Sequence, residues 1–130
     1  SSPSAGHLPY MVVLQPGVPV KPATVFVNKA ALSGERHETM TWGPAQAGVA
    51  KGIQECLLEG ILPAEAEDEW CVIAAVWVDP RSDQADEVFT NNYQAAKEAV
   101  ANALALLPPL SKVREAVRKV YNPFYIPKRP

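Results

Sequence analysis

Long apolar runs are missing from this 130-residue chain. Pro or Gly breaks every aliphatic stretch well short of the ~20 residues that cross a bilayer, so no membrane-spanning helix is expected. The opening SSPSAGHLPY has no basic end followed by an apolar stretch, and so no secretory leader is expected. A cytoplasmic domain is the resulting expectation. Cysteine is scarce: Cys56 and Cys71 stand without a CxxC or Cys/His spacing, which argues against a metal site and for buried free thiols in a reducing compartment. Histidine is limited to His7 and His37, neither with the neighbours that a triad or a metal needs. Both read as exposed loop residues, although His7 stands close enough in sequence to Met11 to deliver an acid there. No GK[ST] follows any glycine, which excludes a P-loop, and there is no internal repeat.

Proline, by contrast, is plentiful. The thirteen prolines cluster between apolar runs and so mark boundaries within one folded domain of common size. Charge is uneven. Up to Leu110 there are six Lys/Arg against thirteen Asp/Glu, and from Ser111 onward six against one. An acidic body therefore carries a basic tail, and the division expected is 1–110 for the domain and 111–130 for a helix and arm. Because valines alternate with the tail's charges, docking on its own or a neighbouring subunit is expected rather than nucleic-acid or membrane binding.

The elements follow from periodicity. Residues 10–14 (YMVVL) and 24–32 (TVFVNKAAL) read as strands, SGER as a turn and residues 37–41 as a possible third strand. A helix is expected from Pro44, well placed in a first turn, with Ala45, Val49, Ile53 and Leu57 facing the core and Gly60 as a left-handed cap. Gly43, Gly48 and Gly52 along it suggest close helix packing. AEAEDE reads as an acidic turn or short helix. The uncharged run 70–78 (WCVIAAVWV) reads as a central strand covered on both faces. Thr90 is the expected cap of a second helix over residues 91–107, and residues 111–120 (SKVREAVRKV) form an amphipathic third. This is an α/β order, with a mixed sheet covered by two long helices in two layers; a doubly wound dinucleotide fold is not expected.

Five segments in register resemble the formaldehyde-activating enzyme family: VPVKPATVFVNK (18–29), WGPAQAGVA (42–50), EGILPAEAEDEW (59–70), the apolar strand after it, and NNYQAAKEA (91–99). The likeness runs from about Leu8 to Leu107, and the tail has no counterpart in it. It implies a left-handed βαβ unit, an exception to the usual right-handed crossover. It also implies a homopentamer with the pterin site between subunits, and condensation of formaldehyde with tetrahydromethanopterin to the methylene derivative and water. On the matching positions, Met11 is an apolar contact to the pterin, Lys29 the motif lysine near the reacting centre and Gln46 the glutamine for a pterin edge. Ala31 stands where the family has threonine. The family's general-acid histidine, in an AH-x-D strand, is expected upstream of Ser1, so the catalytic residue is unassigned and this chain is expected to be a short homologue or a fragment. The sheet edge so exposed would need a partner, and the tail helix is one candidate. A pterin-, folate- or aldehyde-binding homologue without turnover, or an assembly scaffold acting through the tail, are the alternatives.

Overall fold

The computed structural model describes residues 9–128 and shows an α/β chain. Three strands make the main sheet: β1 (Tyr10–Met11), β4 (Ala23–Asn28) and β5 (Cys71–Val76). β4 lies in the middle, antiparallel to β1 and parallel to β5. The YMVVL stretch is not one strand. After Val12 the chain leaves the main sheet, and β2 (Val13–Gln15) turns back through Gly17, at φ 80, to pair with β3 (Val18–Pro19). A positive φ is costly for any residue with a Cβ, so glycine suits that turn.

β4 ends at Asn28, earlier than expected, because the Asn28 carboxamide accepts the Ala30 N–H at 3.0 Å and turns the chain out. The possible third strand is absent: residues 37–41 belong instead to α1 (Gly34–Met40) and the turn after it. Glu35, Arg36, Glu38 and Met40 are good helix formers, and His37, Met40 and Thr41 recur at helical spacing on the buried side. The helix therefore starts ten residues before Pro44. Pro44 sits inside one widened π-helical turn, Thr41–Ala45, where its lack of an N–H and its bulk are accommodated. Helix α2 (Gln46–Leu58) continues and ends at Gly60, at φ 78, the left-handed position anticipated for it. The acidic stretch contains the single turn α3 (Ala66–Glu69).

Helix α4 (Ala85–Ala105) begins six residues before the expected start, so Thr90 is interior and caps nothing. Asp86 and Glu87 supply the acidic first turn that suits a helix N-terminus. α2 and α4 pack closely. A Cβ on Gly48 would strike the Phe89 carbonyl oxygen, and one on Gly52 would come within 2.8 Å of the Tyr93 carbonyl oxygen. These two glycines serve helix packing as anticipated, whereas Gly43 has open space around it. The core gathers Val12, Phe26, Met40, Val49, Ile53 and Val76, with Tyr10 stacked on Phe26 at 5.1 Å and edge-on to Trp42 at 5.0 Å.

β5 is the main departure. Among the described residues it pairs only with β4, so it is an edge, and Ile73 and Trp77 are 72% and 61% exposed. A run apolar on both faces does not reveal which face is covered. Cys71, expected to be buried, is exposed on this strand; Cys56 is buried, and desolvation raises its thiol pKa. Helix α5 (Leu110–Val117) forms as expected but covers nothing: residues 105–128 are all exposed. Pro109, extended at φ −65 and ψ 152, leads it away from the body.

Candidate functional site

Strand alternation sorts the main sheet into two faces. Thr24, Phe26 and Asn28 of β4 are buried against the helices, while Ala23, Val25 and Val27 are only half-buried on the opposite face. Met11 pairs with Val25, and Val25 with Ile73, so these side chains share that open face. The Lys29 N–H donates to the Val76 carbonyl at 2.7 Å, the bond that closes the Asn28–Val76 pair at the end of the ladder. Lys29 is the first residue beyond β4 and is exposed.

Met11 therefore stands beside Val25 near the start of β4, and Lys29 follows just past the other end of that strand. Met11 also lines a recess of about 170 Å³ with Pro19, Lys21, Glu67, Asp68 and Trp70. Lys21 closes one side by a 3.0 Å ion pair to Asp68, which raises the lysine's pKa. A pocket for a drug-sized molecule is typically ~300 Å³ or more, so a pterin in this recess would need walls from elsewhere.

Gln46 is tied to the opposite end of β4 from Lys29. Its Oε1 accepts the Val13 N–H at 3.0 Å, and Val13 follows Val12, whose N–H donates to the Thr24 carbonyl near the start of β4. The six residues of β4 separate that level from Lys29, about 20 Å at ~3.3 Å per residue. Gln54 makes a parallel bond, its Oε1 accepting the Lys21 N–H at 2.9 Å. Two glutamines of α2 therefore tie the β2–β3 hairpin to the helix layer, a role invisible in sequence because each bond spans 33 residues. The Gln46 amide still has its NH₂ donors.

The histidines are placed differently from expectation. His7 lies outside the described residues. His37 is not exposed but 1% accessible, held between the Ser33 N–H, which donates to Nδ1 at 3.0 Å, and the Val78 carbonyl, 2.7 Å from Nε2. That pairing makes Nε2 the protonated nitrogen of a neutral ring, and leaves His37 as a brace between α1 and the end of β5.

A second polar cluster emerges only in three dimensions. On α2 and α4, Tyr93 donates its hydroxyl to Glu55, and Lys97 reaches Glu55 at 3.2 Å and Glu59 at 2.9 Å. Lys51 lies 4.7 Å from the Tyr93 ring centre. The Tyr93 hydroxyl and Lys97 hold Glu55 below the usual carboxylate range, and the two glutamates raise Lys97. Each of these groups is answered by another, so the cluster serves as a clamp between helices. Its one sequence signal is the Tyr93–Lys97 spacing of one helical turn, matched by Glu55 and Glu59 at the same spacing.

An antiparallel–parallel sheet with a long helical crossover and one bare face defines a class of small α/β domain whose sites can be built on the sheet. The chain matches the formaldehyde-activating enzyme family over residues 1–125 and belongs to that family. The match takes in most of the tail, which lies beyond the reach of the five motif segments. Among its relatives is a bifunctional enzyme Fae/Hps of Archaeoglobus fulgidus, 35% identical over 93% of this chain and 31% of the relative. Another is a 5,6,7,8-tetrahydromethanopterin hydro-lyase of Methanosarcina barkeri, 33% identical over 94% of this chain and 68% of the relative. The chain thus spans about a third of the bifunctional relatives and two thirds of the hydro-lyase. No helix among the described residues is long and apolar enough to cross a membrane.

Proposed function

We propose that this chain condenses formaldehyde with a reduced pterin of the tetrahydromethanopterin type, as a carbon–nitrogen lyase working in the direction of methylene-pterin formation. The observation that carries the reading is similarity along nearly the whole chain to a protein named as a tetrahydromethanopterin hydro-lyase. In the reaction a pterin nitrogen forms a bond to the formaldehyde carbon, and the carbonyl oxygen takes up a proton to give a carbinolamine. The hydroxyl then takes up a second proton and leaves as water as the C–O bond breaks, and a second pterin nitrogen closes on the carbon and gives up its own proton, which leaves the methylene-pterin. Holding both reactants together supplies much of the acceleration, and a donor at the departing oxygen supplies more.

In this reading the pterin lies on the open sheet face. Met11 offers an apolar contact, and Lys29 places N–H donors by the departing oxygen. Gln46 faces the ligand from a different subunit, since one chain separates it from Lys29. A homo-oligomer, a pentamer by resemblance, is thus part of the proposal. So are a two-layer sandwich with a left-handed βαβ crossover, a body over residues 1–110 with a separate tail over 111–130, and a cytoplasmic location. The test is methylene-pterin formation above the spontaneous rate. Lys29→Met is expected to lower the protein-dependent rate about 100-fold, within the range for losing a positioned proton donor. Binding of the reduced pterin without any acceleration would favour a non-catalytic carrier.

A further inference from the structure

Two apolar surfaces of this chain are without a partner in the described structure, and they differ in charge. The first is a groove of about 460 Å³ between the free edge of β5 and α4, lined by Val72, Ala74, Trp77, Ala96, Val100 and Ala103. The chain on either side of β5 in sequence is acidic. Glu65, Glu67, Asp68 and Glu69 precede β5, and Asp79, Asp83, Asp86 and Glu87 follow it. The second is the tail. Leu110, Val113, Val117 and Val120 recur along one side of α5 and its continuation, and Tyr121, Phe124, Tyr125 and Ile126 come after them, every one exposed. The other side of the same helix carries Lys112, Arg114, Arg118 and Lys119.

We infer that the tail of one copy docks in the β5–α4 groove of a second copy of this chain. Charge complementarity argues for this occupant: up to Leu110 the chain carries thirteen acids against six bases, and the tail carries six bases against one acid. Connection geometry argues for a second copy rather than the same one. The Pro108–Pro109 step is stiff, Pro109 is extended, and α5 beyond it buries no residue in its own chain. Size is adequate as well. Aromatic side chains each bury roughly 150–250 Å², so the tail's three aromatics and five aliphatics can approach the ~800 Å² per partner of a stable interface. Such a head-to-tail contact closes a ring when its rotation allows. The inference names the contact that builds the oligomer of the proposed function, yet it can be tested with no pterin present.

The test uses the full chain and two measurements. Sedimentation velocity is compared for the wild type, Val113→Glu/Val117→Glu and Ala99→Glu, the last placing a charge on the exposed groove wall. The wild type is expected to be oligomeric at micromolar concentration, and each variant to raise the dissociation concentration at least about 100-fold. A photo-crosslinking residue at Val117, in a mixture of ¹⁴N- and ¹⁵N-labelled chains, is expected to join the tail of one isotope to β5 or α4 of the other. A monomeric wild type, an oligomer untouched by the substitutions, or crosslinks confined to single chains would each overturn the inference. A catalytically inactive chain that still passes both tests would end the pterin reading and leave this one standing.

Discussion

Helix α4 has two sides that met different fates. Toward α2 it is closed: Gly48 and Gly52 let the backbones touch, and Glu55, Glu59, Tyr93 and Lys97 clamp the contact. Toward β5 it is open, with Ala95, Ala99 and Ala103 one helical turn apart and exposed along the groove. Small residues stand on both sides. On the closed side they record a contact already made, and on the open side they leave room for one that the described residues do not make.

The largest expected effect breaks the closed side. Gly48→Ala and Gly52→Ala would each gain roughly 1 kcal/mol of helix propensity, but the added methyl meets α4 backbone atoms that cannot move aside. Overpacking wins, and a net loss of about 2–3 kcal/mol is expected in urea unfolding. Wild-type stability in either variant would mean that the helices stand further apart.

The next effect is electrostatic and smaller. Glu55 is held below its ordinary range by Tyr93 and Lys97, and Asp79 is pushed down to about 2 by Arg81. A carboxylate with a lower pKa in the folded chain favours folding above its unfolded value of ~4 and loses that contribution as pH falls through its folded value. Thermal stability should therefore decline between about pH 4 and pH 2. Glu55→Gln should flatten part of that decline, and salt should do the same because these groups face solvent. An unchanged acid profile in Glu55→Gln would show that the clamp has no energetic part in the closed side.

The smallest effect belongs to the open side. In the Val113→Glu/Val117→Glu background, Ala99→Ser should change unfolding stability by no more than about 0.5 kcal/mol, since Ala99 is exposed among the described residues. A loss comparable to the glycine variants would erase the distinction between the two sides.

The contrast also explains what the sequence disclosed. The stripe of Ala45, Val49 and Ile53, the cap at Gly60 and the amphipathic tail are legible because helical period and φ preference are local properties. Residues 37–41 mislead because Thr39 and Thr41 suggest a strand, while the deciding facts are distant: His37 bonds to Val78 and Thr41 is buried in the core. The free edge of β5 is illegible for a different reason. Trp70 to Val78 is apolar on both faces, as a buried strand would be, and only its pairing, with β4 alone among the described residues, shows which positions remain open. Of the candidate site, Met11 and Lys29 can be named from motif spacing, and they stand near opposite ends of β4. The bond from the Val13 N–H to Gln46 depends on tertiary placement, which motif spacing does not encode.

The sharpest test is a map of where a reduced pterin binds, by ¹H–¹⁵N shifts on titration of the full chain. Shifts are expected at Met11, Val25, Val27 and Lys29, with Gln46 responding only in the assembled protein and falling silent in Val113→Glu/Val117→Glu. Shifts that avoid the Met11–Lys29 face and gather instead along β5 and α4 would contradict the assignment of that face to the pterin.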